Sequence, residues 1–125
     1  MSALVDTCGW IEWLTDGTLA EEFSRYLLEP AAVVVPTLVQ YELHRWVCRE
    51  RDEATAVEVI GVTEQGLVVP LDTSLALFAS ELAAGHNLAM ADAVVYATAL
   101  QAGHELVTCD AHFASLPGVT YLPKN

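Results

Sequence analysis

Short apolar runs alternate along this chain with longer segments in which apolar residues recur at helical spacing. The short runs are rich in Val and Leu and are continuous, which is typical of strands buried on both faces of a parallel sheet. Helical segments between such strands supply the crossovers that parallel pairing requires. We therefore predict an α/β fold, a three-layer sandwich around a central parallel sheet of five strands. The predicted strands are residues 3–5, 32–35, 67–71, 106–109 and 119–122.

Helix-start signals accompany several of the helical segments. Thr37 followed by Gln40 fits a capping box at the start of the third helix. Asp72 or Thr73 is expected to cap the fifth helix, and Asn87 the sixth. The predicted helices are residues 9–14, 19–28, 37–50, 52–60, 73–85 and 88–102.

Four carboxylates lie where these apolar segments end or are interrupted. Asp6 follows the first strand and Asp110 the fourth, whereas Glu42 and Asp92 lie on or beside apolar helix faces. Burying an acid is unfavourable unless a cation or hydrogen bonds compensate it. Ligands of parallel sheets bind beyond the carboxyl ends of the strands, and both helices can direct their acids there. Converging carboxylates predict a hard divalent metal site for Mg2+ or Mn2+.

Each of these acids also has an ordinary structural explanation. Asp6 and Asp110 can cap the turns that follow them, and Asp92 would suit the first turn of a helix because of the helix dipole. Glu42 can pair with Arg45 or Trp46. Four such explanations at one predicted location are less economical than one metal site.

Composition limits the class of protein. The 125 residues, 54% of them hydrophobic, predict a single domain covering residues 1–125 with a dense core and some apolar surface covered by a partner. The net charge of -12 disfavours nonspecific nucleic-acid binding without a metal. Three of the five basic residues cluster, however, at Arg45, Arg49 and Arg51.

The expected location of the protein follows from the absence of a membrane-spanning segment and of a signal peptide. No apolar run approaches the roughly 20 residues that span a bilayer, and the N-terminus has no basic region typical of a signal peptide. We therefore expect a cytoplasmic protein that makes no membrane contact.

Cys8, Cys48 and Cys109 form no metal-like pair and are expected to be reduced. Cys8 and Cys109 would lie close together if the first and fourth strands are neighbours.

Four segments that contain the acids resemble, in this order, the PIN-domain ribonucleases, and specifically the VapC-type toxins of toxin–antitoxin pairs. The resemblance implies a PIN fold and a metal-dependent endoribonuclease with Mg2+ or Mn2+ as cofactor. It also implies structured RNA such as transfer or ribosomal RNA as substrate, a homodimer and a cognate antitoxin protein. The chain carries fewer basic residues than such toxins often do. The resembling segments are residues 4–10, 35–43, 88–93 and 106–113.

With this resemblance, we hypothesise metal-assisted hydrolysis of an RNA phosphodiester by the four acids. Asp6 is the central metal ligand and Asp92 the second. Glu42 ligates directly or positions a water, and Asp110 holds a second metal or acts through water.

Four further residues are candidate substrate contacts. A hydroxyl of Thr7 or Thr108 could bind a metal water or the scissile phosphate, although cap or strand-end hydrogen bonding is the favoured interpretation. Arg45 and Arg49 share a helical face with Glu42 and are expected to grip RNA phosphates or antitoxin carboxylates. The alternative for Arg49 is a surface pair, for example with Glu53 four residues later, which contributes little energy.

One other function remains as an alternative, and another is excluded because its sequence motif is missing. A catalytically silent PIN-like interaction module is the main alternative, and the presence of all four acids counts against it. A haloacid-dehalogenase-type phosphatase would need an acid where Cys8 stands, two residues after Asp6. His112 lies two residues after Asp110 and could touch substrate, but surface or loop packing is the favoured interpretation for it.

Overall fold

The computed structural model describes residues 2–124, and its strands form one five-stranded sheet in which every neighbouring pair is parallel. The predicted α/β fold with a central five-stranded parallel sheet is confirmed. The strand order is β3-β2-β1-β4-β5. The strands are β1 (Ala3–Val5), β2 (Val33–Pro36), β3 (Leu67–Val69), β4 (Glu105–Thr108) and β5 (Val119–Tyr121).

The helices pack in consecutive pairs, α1 with α2, α3 with α4 and α5 with α6. Their bounds are α1 (Thr7–Leu14), α2 (Ala20–Leu27), α3 (Thr37–Glu50), α4 (Glu53–Thr63), α5 (Thr73–His86) and α6 (Met90–Ala102). Two 3-10 turns, Pro30–Ala32 and Ala111–Phe113, complete the chain. Within residues 2–124, no helix combines the length and apolar character that a bilayer crossing needs.

The strand order reverses direction between β1 and β4. The chain moves from β1 to β2 and β3 on one side, then returns to place β4 and β5 on the other side of β1. Right-handed crossovers then put the first four helices on one face of the sheet and the last two on the other. The carboxyl ends of β1 and β4 therefore border the crevice where ligands bind in open parallel sheets.

The core lies mainly against the central strands. Every residue of β1 and β2 is buried, in keeping with their continuous apolar sequence. The largest fully buried side chains next to them include Trp10, Phe23 and Phe113. A second cluster fills the space between α5 and α6, where Leu75 meets Ala93 and Ala97. This packing holds the ends of β1 and β4 in fixed positions.

The predicted capping box at Thr37 is wrong. Thr37 is already the first helical residue of α3, and Pro36 occupies the N-cap position without a side-chain hydrogen bond. Gln40 does not reach back to the helix start. Its Nε2 instead donates to Thr63 Oγ1 (3.1 Å) and to Glu64 Oε2 (2.7 Å), which joins α3 to the end of α4.

The predicted capping role of Asn87 is also wrong. Asn87 adopts the left-handed conformation (φ 54°, ψ 50°) and ends α5, while Ala89 takes the N-cap position of α6. Asp72 does cap α5, accepting the Leu75 N–H at 2.9 Å. The short connection leaves Asn87 to close one helix rather than open the next.

Candidate active site

Asp6 occupies the centre of the crevice at the end of β1. Its backbone N–H continues the ladder by donating to Val107 O (3.0 Å), so the residue stays attached to β4. Its side chain accepts the Thr7 N–H on Oδ1 (2.8 Å) and the Thr108 hydroxyl on Oδ2 (2.8 Å). Asp6 is thus the N-cap of α1, which begins two residues earlier than predicted. Only 8% of the residue is exposed.

Glu42 reaches the crevice from α3. The Thr7 hydroxyl donates to Glu42 Oε1 at 2.6 Å, so Thr7 contacts two of the four acids, one with its backbone and one with its side chain. Glu42 is half-buried, and among the described residues it forms no ion pair with Arg45. The expectation that α3 turns Glu42 towards the sheet end agrees with this geometry.

Asp110 is joined to Asp6 through Thr108, the last residue of β4. The fully buried Thr108 hydroxyl donates to Asp6 and accepts the Asp110 N–H at 2.9 Å. Asp110 itself caps the 3-10 turn that follows, since its Oδ1 accepts the His112 N–H at 2.9 Å. The Thr108 hydroxyl therefore makes the expected strand-end hydrogen bonds, whereas the Thr7 hydroxyl joins the start of α1 to Glu42 of α3 instead.

Asp92 enters the crevice from the first turn of α6. Its Oδ2 lies 3.3 Å from His112 Nδ1, and the same nitrogen lies 3.3 Å from Asp110 Oδ1. Ligand atoms of Asp92, Asp110 and His112 all fall within 4.8 Å of one another. His112 is three-quarters exposed, so its expected surface position is observed, and its imidazole contacts both acids.

A continuous arc of contacts therefore links all four predicted acids, although they come from four parts of the chain. Glu42 is joined to Asp6 through Thr7, Asp6 to Asp110 through Thr108, and Asp110 to Asp92 through His112. The spacing of Asp110 and His112, two residues apart, was the only sequence signal for the last link.

The four acids of the arc lie close together, and no Lys or Arg among residues 2–124 forms an ion pair with them. Burial raises the pKa of Asp6 to about 6, and the charges of Glu42 and Asp110 add to the rise, while the hydrogen bonds from Thr108 and Thr7 oppose it. Burial and the neighbouring Asp110 likewise raise the pKa of Asp92, although His112 opposes that rise. Raised carboxyl pKa values in a crevice are typical of a functional site.

The predicted arginines border the arc without entering it. Arg45 and Arg49 line a cleft of about 340 Å³ together with Thr7, Glu42 and Tyr41. The Arg45 guanidinium donates to Tyr41 Oη at 3.4 Å. Arg49 pairs with its sequence neighbour Glu50 (3.3 Å) rather than with Glu53, which begins the next helix, and both side chains of the pair are exposed.

Cys8 and Cys109 do meet beside the site, as their strands predict. The Cys109 N–H donates to Cys8 Sγ at 3.2 Å, and Cys8 Sγ lies 3.4 Å from Thr108 Oγ1. All three cysteines are free thiols. The pair is part of the packing that supports Thr108.

The donor set fits a hard divalent cation. Carboxylate oxygens are the ligands that Mg2+ and Mn2+ prefer, and no Lys or Arg side chain among residues 2–124 forms an ion pair with the four acids. A cation would offset the charge that burial disfavours at Asp6 and Asp92. Sequence patterns predicted these acids, but the bridging contacts of Thr7, Thr108 and His112 required the folded structure.

Comparisons with known proteins identify the family. The model of the PIN domain family matches residues 3–119, and the chain belongs to that family. No curated protein matches the chain in sequence.

Several solved structures share the fold. A toxin–antitoxin complex from Klebsiella pneumoniae matches with a TM-score of 0.81 at 22% identity, covering 95% of this chain and 96% of that one. VapC20 from Mycobacterium tuberculosis, described as a toxin that cleaves the sarcin–ricin loop, matches at 0.79 and 20%, covering 98% and 100%. DNA-bound VapBC from Salmonella typhimurium matches at 0.76 and 17%, covering 98% of each chain. At these identities the likeness establishes the fold.

Proposed function

We propose that this PIN-domain protein is a metal-dependent endoribonuclease and the toxin of a VapC-type toxin–antitoxin pair. The observation that carries the proposal is the arc of four carboxylates at the carboxyl ends of β1 and β4, with Asp6 buried at its centre and no Lys or Arg ion-pair partner among residues 2–124. Membership of the PIN family supports a nuclease, and the fold shared with toxin–antitoxin structures supports a toxin.

Each acid has a role that follows from its contacts. Asp6 would be the central ligand of the cation, since two hydrogen bonds fix its carboxylate. Asp92 and Asp110 would also hold the cation, and Glu42 would ligate or orient a water. Mg2+ or Mn2+ bound there would lower the pKa of water and neutralise charge that develops on the scissile phosphate. Thr7 and Thr108 would maintain the spacing of these groups.

Arg45 and Arg49 supply the positive charge that most of the surface lacks. With a net charge of -12, the chain depends on local positive charge to approach RNA. Arg45 and Arg49 line the cleft beside Glu42, and their planar guanidinium groups suit phosphate oxygens. We propose that this cleft receives structured RNA of the transfer or ribosomal type, and that it can alternatively receive carboxylates of the antitoxin.

A homodimer and a cytoplasmic antitoxin complex complete the proposal. Large apolar side chains are exposed, among them Leu28, Leu77 and Met90. Met90 lines an apolar cavity between α5 and α6 with Ala79 and Ala83, and exposed apolar surface of this kind is typical of partner interfaces. The solved structures that share the fold include three toxin–antitoxin complexes. We also propose that the chain forms a single PIN domain, since the family model matches residues 3–119.

The test is cleavage of total cellular RNA by the antitoxin-free protein in Mg2+, Mn2+ or chelator. We expect discrete metal-dependent cuts that disappear in Asp6→Asn and Asp92→Asn. Asp16→Asn is the matched control, because Asp16 is an exposed acid outside the arc at a left-handed position that Asn tolerates.

Two results would contradict the proposal. Absence of cleavage by a folded, metal-binding wild type would exclude a general endoribonuclease. Absence of metal binding in calorimetry would favour the catalytically silent interaction module instead.

A further inference from the structure

His112 is held beside two acids by a turn with little freedom. The 3-10 turn that carries it starts at the Asp110 cap, whose Oδ1 accepts the His112 N–H at 2.9 Å. The next residue, Phe113, is fully buried and packs against Tyr96 with ring centroids 6.4 Å apart. Tyr96 in turn donates its hydroxyl to Pro117 O at 2.7 Å, which fixes the segment beyond the turn. The backbone position of His112 is therefore set by the core rather than by the loop surface.

The His112 imidazole is open to solvent, although its backbone is held in place. The His112 side chain is 75% exposed, against 21% for Asp92 and 32% for Asp110. His112 and Asp92 also line a cavity of about 270 Å³ near the start of α6. A hydrated cation can therefore reach all three side chains from the solvent.

Two of the three ligand-atom distances match those of a metal coordination sphere, and the ligand atoms of Asp92 and Asp110 lie within 4.8 Å of each other. His112 Nδ1 lies 3.3 Å from Asp92 Oδ2 and 3.3 Å from Asp110 Oδ1. Adjacent ligands at bond lengths of about 2.1 Å stand roughly 3.0–3.4 Å apart, for octahedral and tetrahedral geometry respectively.

We propose that His112 is a third protein ligand of the cation held by Asp92 and Asp110, and that its nitrogen makes this site prefer Mn2+ to Mg2+. The proposal rests on the proposed function, since it assumes a divalent cation at these acids. Carboxylates alone suit both ions, whereas imidazole is a poor ligand for Mg2+ and a good one for transition metals. One imidazole nitrogen added to a site of carboxylate oxygens therefore changes which metal the site prefers, with little change in the total charge of the site.

A different explanation of the same distances makes the opposite prediction. A protonated His112 could be an ion-pair partner that stands between the two carboxylates and is displaced by the metal. Its removal would then leave the carboxylates freer to bind any cation, and affinity for both ions would rise. If His112 ligates, its removal must lower Mn2+ affinity selectively.

The experiment compares wild type with His112→Ala by calorimetric titration of Mn2+ and of Mg2+ at about pH 8, where free imidazole is neutral. Pulsed electron paramagnetic resonance of the Mn2+ complex gives a second measurement, because it detects a coordinated nitrogen directly. His86→Ala is the matched control, since His86 is exposed and lines the same cavity but is not one of the clustered ligands. Circular dichroism confirms that each variant is folded.

We expect His112→Ala to weaken Mn2+ binding about tenfold or more, to change Mg2+ binding by less than about threefold, and to lose the nitrogen coupling. His86→Ala should retain all three properties. Unchanged Mn2+ affinity in His112→Ala, or tighter binding of both ions, would overturn the ligand assignment while leaving the proposed function intact. A wild type that binds neither ion would overturn the metal site itself, and with it both proposals.

Discussion

The Asp6→Asn substitution should stabilise the metal-free protein while abolishing its activity. Burial, with the charges of Glu42 and Asp110, raises the pKa of Asp6 from its ordinary value of 3.8 to about 6, despite hydrogen bonds from Thr108 and Thr7. One pKa unit corresponds to 1.36 kcal/mol, so the ionised carboxylate lowers the free energy of unfolding by about 3 kcal/mol. Asn has no charge to bury. Its single acceptor oxygen, however, loses one of the two hydrogen bonds, at a cost of about 1 kcal/mol.

The pH dependence separates these two effects. Between about pH 4 and pH 6 the native state keeps a proton on Asp6 that the unfolded chain has released, so the stability contributed by this group falls as the pH rises. The penalty is complete above about pH 6 and absent below about pH 4. The variant should therefore be about 2 kcal/mol more stable than wild type near pH 8, and about 1 kcal/mol less stable near pH 4.

Urea unfolding in chelator at both pH values measures the difference. A repeat in saturating Mn2+ should stabilise wild type by mass action but leave Asp6→Asn almost unchanged. Asp16→Asn, an exposed acid, serves as the control and should follow wild type at each pH. If Asp6→Asn is less stable than wild type near pH 8 in chelator, or if the difference does not depend on pH, then Asp6 is not a strained buried carboxylate and the reasoning is refuted.

Two further substitutions test the supporting contacts. Thr108→Val removes a buried hydroxyl that bonds both Asp6 and the Asp110 backbone. The free energy of unfolding should therefore fall by about 3 kcal/mol, and the pKa of Asp6 should rise further. A loss of less than about 1 kcal/mol in urea unfolding would contradict this expectation. Glu12→Gln breaks the contact of the buried Glu12 carboxylate with Lys124 Nζ (2.9 Å), so the melting temperature near pH 7 should fall by a few degrees. Because that contact lowers the pKa of Glu12 below its ordinary 4.5, the deficit should shrink as the pH falls through the lowered value, and a deficit independent of pH would argue against the ion pair.

Local pattern was enough to predict much of the fold. Continuous Val and Leu runs separated by helical segments correctly indicated a parallel sheet, because a strand buried on both faces needs apolar side chains on both. The same pattern placed Asp6 and Asp110 at strand ends. Those positions follow from sequence alone, since parallel strands present their carboxyl ends at one edge of the sheet.

Helix caps were less predictable, because several residues near each boundary have suitable side chains. Thr37 and Asn87 both have capping propensity, yet neither caps the start of a helix. The backbone geometry on each side decided these cases. Asn87 suits a left-handed C-cap as well as it suits an N-cap, and the position of α5 against α6 selected the former.

The sequence by itself determined the α/β class, the five strands and the residues whose charge is costly to bury. Tertiary structure alone decided how those residues meet. Asp6 and Thr108 are 102 residues apart in the chain and come within 2.8 Å because β1 and β4 pair at the reversal of strand order. His112 stands between Asp92 and Asp110 because the buried Phe113 fixes its turn. Such distances depend on sheet register and long-range packing, which local propensity does not encode.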